Sequence, residues 1–234
     1  MPDAWDYSQK PQRAGPVLQT PILTYLMVAL SVMITAAYLL PGAVSSPLWY
    51  RLGHFGFANT SGTAPWGLIT TIFIHGSALH LLFNMLWLLQ LGRILESTLH
   101  PLIYLAFIIG AAAVGSGCEV LISGVPGIGM SGVVYALFAL MWAGRGLYPA
   151  WGALATRENL RFLIGWAILC IVATYIPIFH IGVANGAHVG GFLFGLCIGY
   201  LFFTPRRRWV WAAPLVILVG VTVFSALRLH YASF

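Results

Sequence analysis

Charge is what this sequence most lacks. Of 234 residues, 5 are acidic and 11 basic, so charged side chains make up only 7% of the chain. Soluble domains carry about 25%, and 16 charges cannot cover a water-facing surface of this size. That excludes an ordinary soluble globule and a nucleic-acid binder. A disordered chain is excluded as well, because 60% of the residues are hydrophobic. Cysteine is scarce too. Cys118, Cys170 and Cys197 all lie inside apolar runs, and an odd set of buried thiols builds neither a disulfide framework nor a metal cluster. Metal-binding spacings are missing: there is no His-Glu-x-x-His, and His75, His80 and Asn84 lack a carboxylate to complete a ligand set. The expectation is no metal and no cofactor. Soluble-domain repeats and low-complexity tracts are also absent.

What is present is apolar length. A mean hydropathy of +0.90 and runs of about 20 apolar residues make lipid the solvent. Residues 1–20 are polar and Pro-rich and read as a short cytoplasmic tail. The first span is expected over 21–40. A cleaved signal peptide is the rival there, but the apolar run has the length of a span and no clear Ala-x-Ala site follows it. Residues 42–66 mix Gly and Pro with Leu48, Trp49, Tyr50, Phe55, Phe57 and Trp66. This segment is too apolar for a free loop and too broken for a span, so it is expected to lie in or on the outer leaflet. Further spans are expected at about 68–92, 101–123, 131–147, 160–178 and 186–203, with a seventh at 209–229 after the basic Arg206-Arg207-Arg208. The fold class is thus an all-α polytopic bundle, with a core over 21–205 and a basic linker plus seventh helix over 206–234. The span opening at Ser131 is short, so its first residue should sit in a recess below the membrane surface.

Orientation follows from the basic residues at the span ends. With the N-terminus inside, nine Lys and Arg are cytoplasmic and only Arg51 and Arg228 are outside. This asymmetry explains the net charge of +6 without an acidic partner.

Polar side chains in lipid are expensive, and each asks for a reason. His75, His80 and Asn84 lie in the second expected span, Glu119 in the third, Ser131 opens the fourth, and Asn185 and His188 open the sixth. Spans two, four and six all start on the outer side, so His75, His80, Ser131 and His188 share one leaflet. His80 and Asn84 are i, i+4 and share a helix face, as do Ser131 and Tyr135. His188 is followed on its own face by Gly191, Gly195 and Gly199, opposite a small-residue strip of Gly132, Ala136, Ala139 and Ala143 on the fourth span. Small residues at this spacing let two helices approach closely. Packing strip on strip makes Ser131 and His188 neighbours, a nucleophile beside a general base. Ser131 sits in Gly129-Met130-Ser131-Gly132 at a helix N-terminus, where free N–H groups favour the negative charge of an acyl-transfer intermediate. The bland alternatives are a serine N-cap, histidines bonded to backbone carbonyls, and Asn84 as interhelical glue. Glu119 reads as structural or as lining a water-accessible mouth, and Glu96 as an interfacial ion pair with Arg93.

At these residues the chain resembles the rhomboid intramembrane serine proteases. His75-Gly76-Ser77-Ala78-Leu79-His80-Leu81-Leu82-Phe83-Asn84 is similar to the family's H-x-x-x-N helix. Gly129-Met130-Ser131-Gly132-Val133-Val134-Tyr135 is similar to its nucleophile motif, and Ala184-Asn185-Gly186-Ala187-His188-Val189-Gly190-Gly191 to its histidine helix. The 42–66 segment matches the family's membrane-lying first loop in position and character.

The resemblance implies a serine endopeptidase cleaving transmembrane segments near their extracytoplasmic end, with Ser131 as nucleophile and His188 as general base in a dyad. It implies His80, Asn84 and the Ser131 N–H as the oxyanion hole, Tyr135 packed on the His188 ring, and Gly129, Asn185 and Gly191 as supports. The expected partners are single-pass or polytopic membrane-protein substrates and the lipid bilayer, without nucleic acid or metal. The expected location is a bacterial inner membrane. The segment Pro65-Trp66-Gly67 departs from the family's Trp-Arg, which bears on loop anchoring rather than on chemistry. The second reading is a non-proteolytic rhomboid-like binder of membrane helices.

Overall fold

In a computed structural model, the protein is described over residues 20–42, 49, 64–176, 182–204 and 208–232. The tail over 1–19 and nearly all of the 42–66 loop lie outside the described residues, as do Arg206 and Arg207. Seven helices of 14 or more residues are described: α1 (Ile22–Tyr38), α2 (Ala78–Thr98), α3 (Pro101–Ser123), α4 (Ser131–Gly144), α5 (Arg157–Tyr175), α6 (Asn185–Phe203) and α7 (Arg208–Ala232). No strand occurs among the described residues. Helices α2, α3, α5, α6 and α7 are long and apolar enough to cross a bilayer, whereas α1 and α4, with 17 and 14 residues, are shorter.

The second helix starts later than its apolar run suggests. Gly67–Thr70 and Thr71–Phe73 form two short helical turns, and Ile74 is extended. The chain then re-enters helix only after Gly76-Ser77, where the Ser77 hydroxyl accepts the His80 N–H at 3.1 Å. A hydroxyl N-cap fixes a helix start that hydropathy cannot see. This shifts α2 to Ala78–Thr98, against the expected 68–92. Trp49, from the segment expected to line the outer leaflet, is buried with its ring edge-on to Tyr38 at 5.4 Å.

The core is built around α4. Residues 132–141 of this helix are all buried, with Leu137, Phe138 and Met141 at 0% exposure. It packs chiefly on α6, and also on α2 and α3. A helix buried on every side needs no amphipathic pattern, which is why its sequence is apolar throughout.

Backbone groups at helix ends have no water to turn to in lipid, so neighbouring helices satisfy them. Glu96 on α2 accepts the Leu23 and Thr24 N–H groups, each at 2.8 Å, and the Thr24 hydroxyl at 2.7 Å. It therefore caps α1 from outside that helix, and this corrects the expected pairing with Arg93. A buried carboxylate gains more from three donors and a helix N-terminus than from a charge one turn away. At the other end of the bundle Arg228 on α7 donates to the Val120 carbonyl at 3.3 Å, close to the C-terminus of α3, while the Ser225 hydroxyl donates to the Gly117 carbonyl at 2.8 Å. These bonds pin α7 to α3.

Candidate active site

Ser131 is the first residue of α4, and Met130 is its N-cap. The first bond inside the helix is Val134 N–H to Met130 O, so the N–H groups of Ser131, Gly132 and Val133 have no acceptor within it. Gly129 enters the turn at φ 101°, a conformation that L side chains rarely adopt. A Cβ there would also stand 2.5 Å from the His80 ring, so His80 lies directly over the turn that carries Ser131.

His188 is brought to this turn by backbone-on-backbone packing. A Cβ on Gly191 would collide with the Gly132 carbonyl, one on Gly195 with the Ala136 carbonyl, and one on Gly199 would meet the Ala143 Cβ at 2.5 Å. The contact is returned from α4, where a Cβ on Gly132 would stand 2.9 Å from the Ala187 carbonyl. The spacing of small residues thus sets the interhelical distance. At the N-terminal ends of the two helices the Nε2 of His188 lies 2.8 Å from the Oγ of Ser131. His188 is 4% exposed, and its ring is stacked on Tyr135, centroids 4.8 Å apart at 23°. Its Nδ1 has no hydrogen-bond partner among the described residues. Among the described residues, no acid is bonded to the imidazole. Tyr135 is held in turn by its hydroxyl, which donates to the Leu163 carbonyl on α5 at 2.7 Å.

The other expected site residues fall around this pair. Asn84 is buried one turn below His80, and its amide donates to the His80 carbonyl at 2.9 Å. An asparagine amide carries a second N–H, and that one is uncommitted by this bond. Asn185 opens α6 and donates to the Thr174 hydroxyl on α5 at 3.0 Å. Gly67, at the position of the missing arginine, begins a short buried turn.

Two contributors had no partner assigned from the sequence, although Glu119 was expected to be structural or to line a water-accessible mouth. Glu119 on α3 accepts the Gly186 N–H at 2.8 Å and so caps the helix that carries His188. Its signal was a lone carboxylate in lipid. His75 is fully buried, and its ring stands edge-on to His80 with centroids 4.9 Å apart. No group of three or more metal-ligating side chains occurs among the described residues.

A serine hydroxyl within hydrogen-bond reach of a buried imidazole, at a helix N-terminus with free N–H groups, is equipped for acyl transfer. The model of the Rhomboid domain matches residues 62–205, which hold every one of these side chains. The chain belongs to the rhomboid family. Proteins described as rhomboid protease GlpG from Salmonella paratyphi A, Salmonella choleraesuis and Salmonella newport are each 31% identical to it over 197 residues, covering 84% of this chain and 67% of each relative. This rhomboid is an integral, multi-pass membrane protein and a serine-type intramembrane endopeptidase.

Proposed function

We propose that this rhomboid cleaves transmembrane segments of single-pass or polytopic membrane proteins near their extracytoplasmic end, through a Ser131–His188 dyad. The observation that carries this reading is the 2.8 Å contact between His188 Nε2 and Ser131 Oγ, made where two helices touch backbone to backbone. Ser131 Oγ attacks the scissile carbonyl while His188 Nε2 accepts its proton. The tetrahedral oxyanion sits against the Ser131 N–H, with His80 and the free N–H of Asn84 as further donors. Collapse expels the amine, which takes the proton from His188, and leaves an acyl-enzyme on Ser131. Water, deprotonated by His188, then releases the acid and restores the serine. Tyr135 keeps the imidazole plane in place, and Gly129, Gly191 and Asn185 keep the supporting backbone close.

The basic asymmetry favours a cytoplasmic N-terminus in a bacterial inner membrane, with a rhomboid core over 21–205 and a seventh helix appended over 206–234. Cleavage of a transmembrane substrate by wild type, Ser131→Ala and His188→Ala tests the reading. Either substitution alone should remove nearly all turnover, and the double substitution should cost little more, because the two groups act as one unit. Single losses that multiply would contradict the dyad.

A further inference from the structure

The nucleophile turn is held from behind by a chain of hydrogen bonds that the catalytic reading does not use. The Gly129 N–H donates to the Thr71 carbonyl at 3.2 Å, and the Met130 N–H faces His75 Nε2 at 3.4 Å. On the other side of the same ring, His75 Nδ1 lies 3.2 Å from the hydroxyl of Thr35 on α1. The Thr35 hydroxyl in turn lies 3.2 Å from the Phe73 carbonyl. His75 is 0% and Thr35 1% exposed, so water cannot replace any of these partners.

Donor counting fixes the direction of the chain. A backbone N–H can only donate, so Nε2 facing Met130 must carry a lone pair and the ring proton must sit on Nδ1. Nδ1–H then donates to Thr35 Oγ1, whose own hydrogen goes to the Phe73 carbonyl. The opposite tautomer would set Nε2–H against the Met130 N–H, two buried donors face to face. It would also ask Thr35 to abandon Phe73.

We propose that His75 is a positioning residue for the oxyanion site, held as the Nδ1–H tautomer by Thr35, and that it does two things there. It occupies the Met130 N–H, so that the first free donor at the start of α4 is the N–H of Ser131. It also stands edge-on to His80, which lies over Gly129, and so braces that ring beside the turn. Helix α1, which contributes no residue to the dyad, thereby sets the orientation of the peptide that must meet the oxyanion. The inference rests on the reading of Ser131 as the nucleophile.

The test uses the purified full chain in detergent, with kcat and KM for a transmembrane substrate, the rate of labelling by a fluorophosphonate, and the melting temperature. Thr35→Val keeps shape and removes the hydroxyl, whereas Thr35→Ser keeps the hydroxyl. Thr24→Val, at the opposite end of α1, removes the hydroxyl that bonds Glu96 and controls for general loosening of that helix. Thr35→Val should lower kcat and labelling rate about 10-fold with KM within about twofold, less than the ~10²-fold that a misplacement of about 1 Å can cost. Thr35→Ser should return both to within about twofold of wild type. Thr24→Val should lower the melting temperature while kcat stays near wild type. In spectra of ¹⁵N-histidine-labelled protein, the His75 resonances, assigned by their loss in His75→Gln, should report a neutral ring protonated at Nδ1. An Nε2–H tautomer, unchanged kcat in Thr35→Val, or a loss matched by Thr24→Val would overturn the proposal. Retained labelling in Ser131→Ala would overturn the underlying reading instead, a separate result.

Discussion

Two seams flank Ser131 and His188, and they are made of opposite materials. Where α4 meets α6, the contact is backbone on backbone, with Gly191 and Gly195 lying against the carbonyls of Gly132 and Ala136. Where α2 faces α5, the contact is ring on ring: Phe83 and Trp166 at 5.6 Å, Trp87 and Phe162 at 5.8 Å. The first seam has no side chain that can rotate out of the way. The second is all side chain, and α5 buries only Leu163 and Cys170 of its 19 residues. Close-packed backbones have two states, together or apart, whereas aromatic side chains at a half-exposed seam can change rotamer at modest cost. Ser131 and His188 therefore sit on the rigid seam, and the helix beside them is bonded by Tyr135 and Asn185, which donate to Leu163 and Thr174. The difference teaches that the close-packed and the deformable contacts around these residues belong to different helix pairs.

The strongest way to break this contrast is to put a side chain into the rigid seam. Gly191→Val forces two Cβ substituents toward the Gly132 carbonyl, so turnover should fall by more than about 10³-fold, the order lost when a catalytic unit comes apart. The melting temperature should fall with it. Asn84→Ala comes next. If its free N–H meets the oxyanion, kcat should drop about 10²–10³-fold with little change in KM. Unchanged kcat in folded protein would leave Asn84 as packing alone.

Glu119 should give an intermediate effect, because it holds the start of the histidine helix from α3. Glu119→Ala should cost about 1 kcal/mol of stability, as loss of a helix cap does, together with a several-fold loss of kcat. Glu119→Gln keeps an acceptor oxygen for the Gly186 N–H and should recover most of both. The smallest effect belongs to the soft seam. Phe162→Ala and Trp166→Ala face lipid with 47% and 38% of their surface exposed, so each should shift the melting temperature little and leave kcat within about threefold of wild type. A collapse of activity in either would erase the contrast between the seams.

Much of this was legible in the sequence, for reasons that differ from one element to another. Hydropathy alone marks the long helices, because lipid leaves few other solutions for an apolar run. The register of Gly191, Gly195 and Gly199 against Gly132 and Ala136 was legible because helical periodicity puts small residues on one face. The start of α2 was not, since Gly76-Ser77 interrupts an apolar run without making it polar. Glu96 was assigned to Arg93 because local spacing shows only local partners, whereas its donor Thr24 lies 72 residues away. The work of His75 depends on Thr35 and Met130, from a helix 40 residues before it and a turn 55 residues after it. No periodicity connects those positions. The loop over 42–66 falls largely outside the described residues.

The central claim is that Ser131 is a nucleophile made reactive by His188, and labelling reads it most directly. Intact detergent-solubilised protein would be treated with a fluorophosphonate and the adduct mapped by peptide mass spectrometry, in wild type and in His188→Ala. The account predicts one adduct, on Ser131, formed in wild type and slowed at least about 10³-fold in His188→Ala, since a serine without its base is a poor nucleophile. An adduct on another serine, or equal labelling of Ser131 in both proteins, would contradict it.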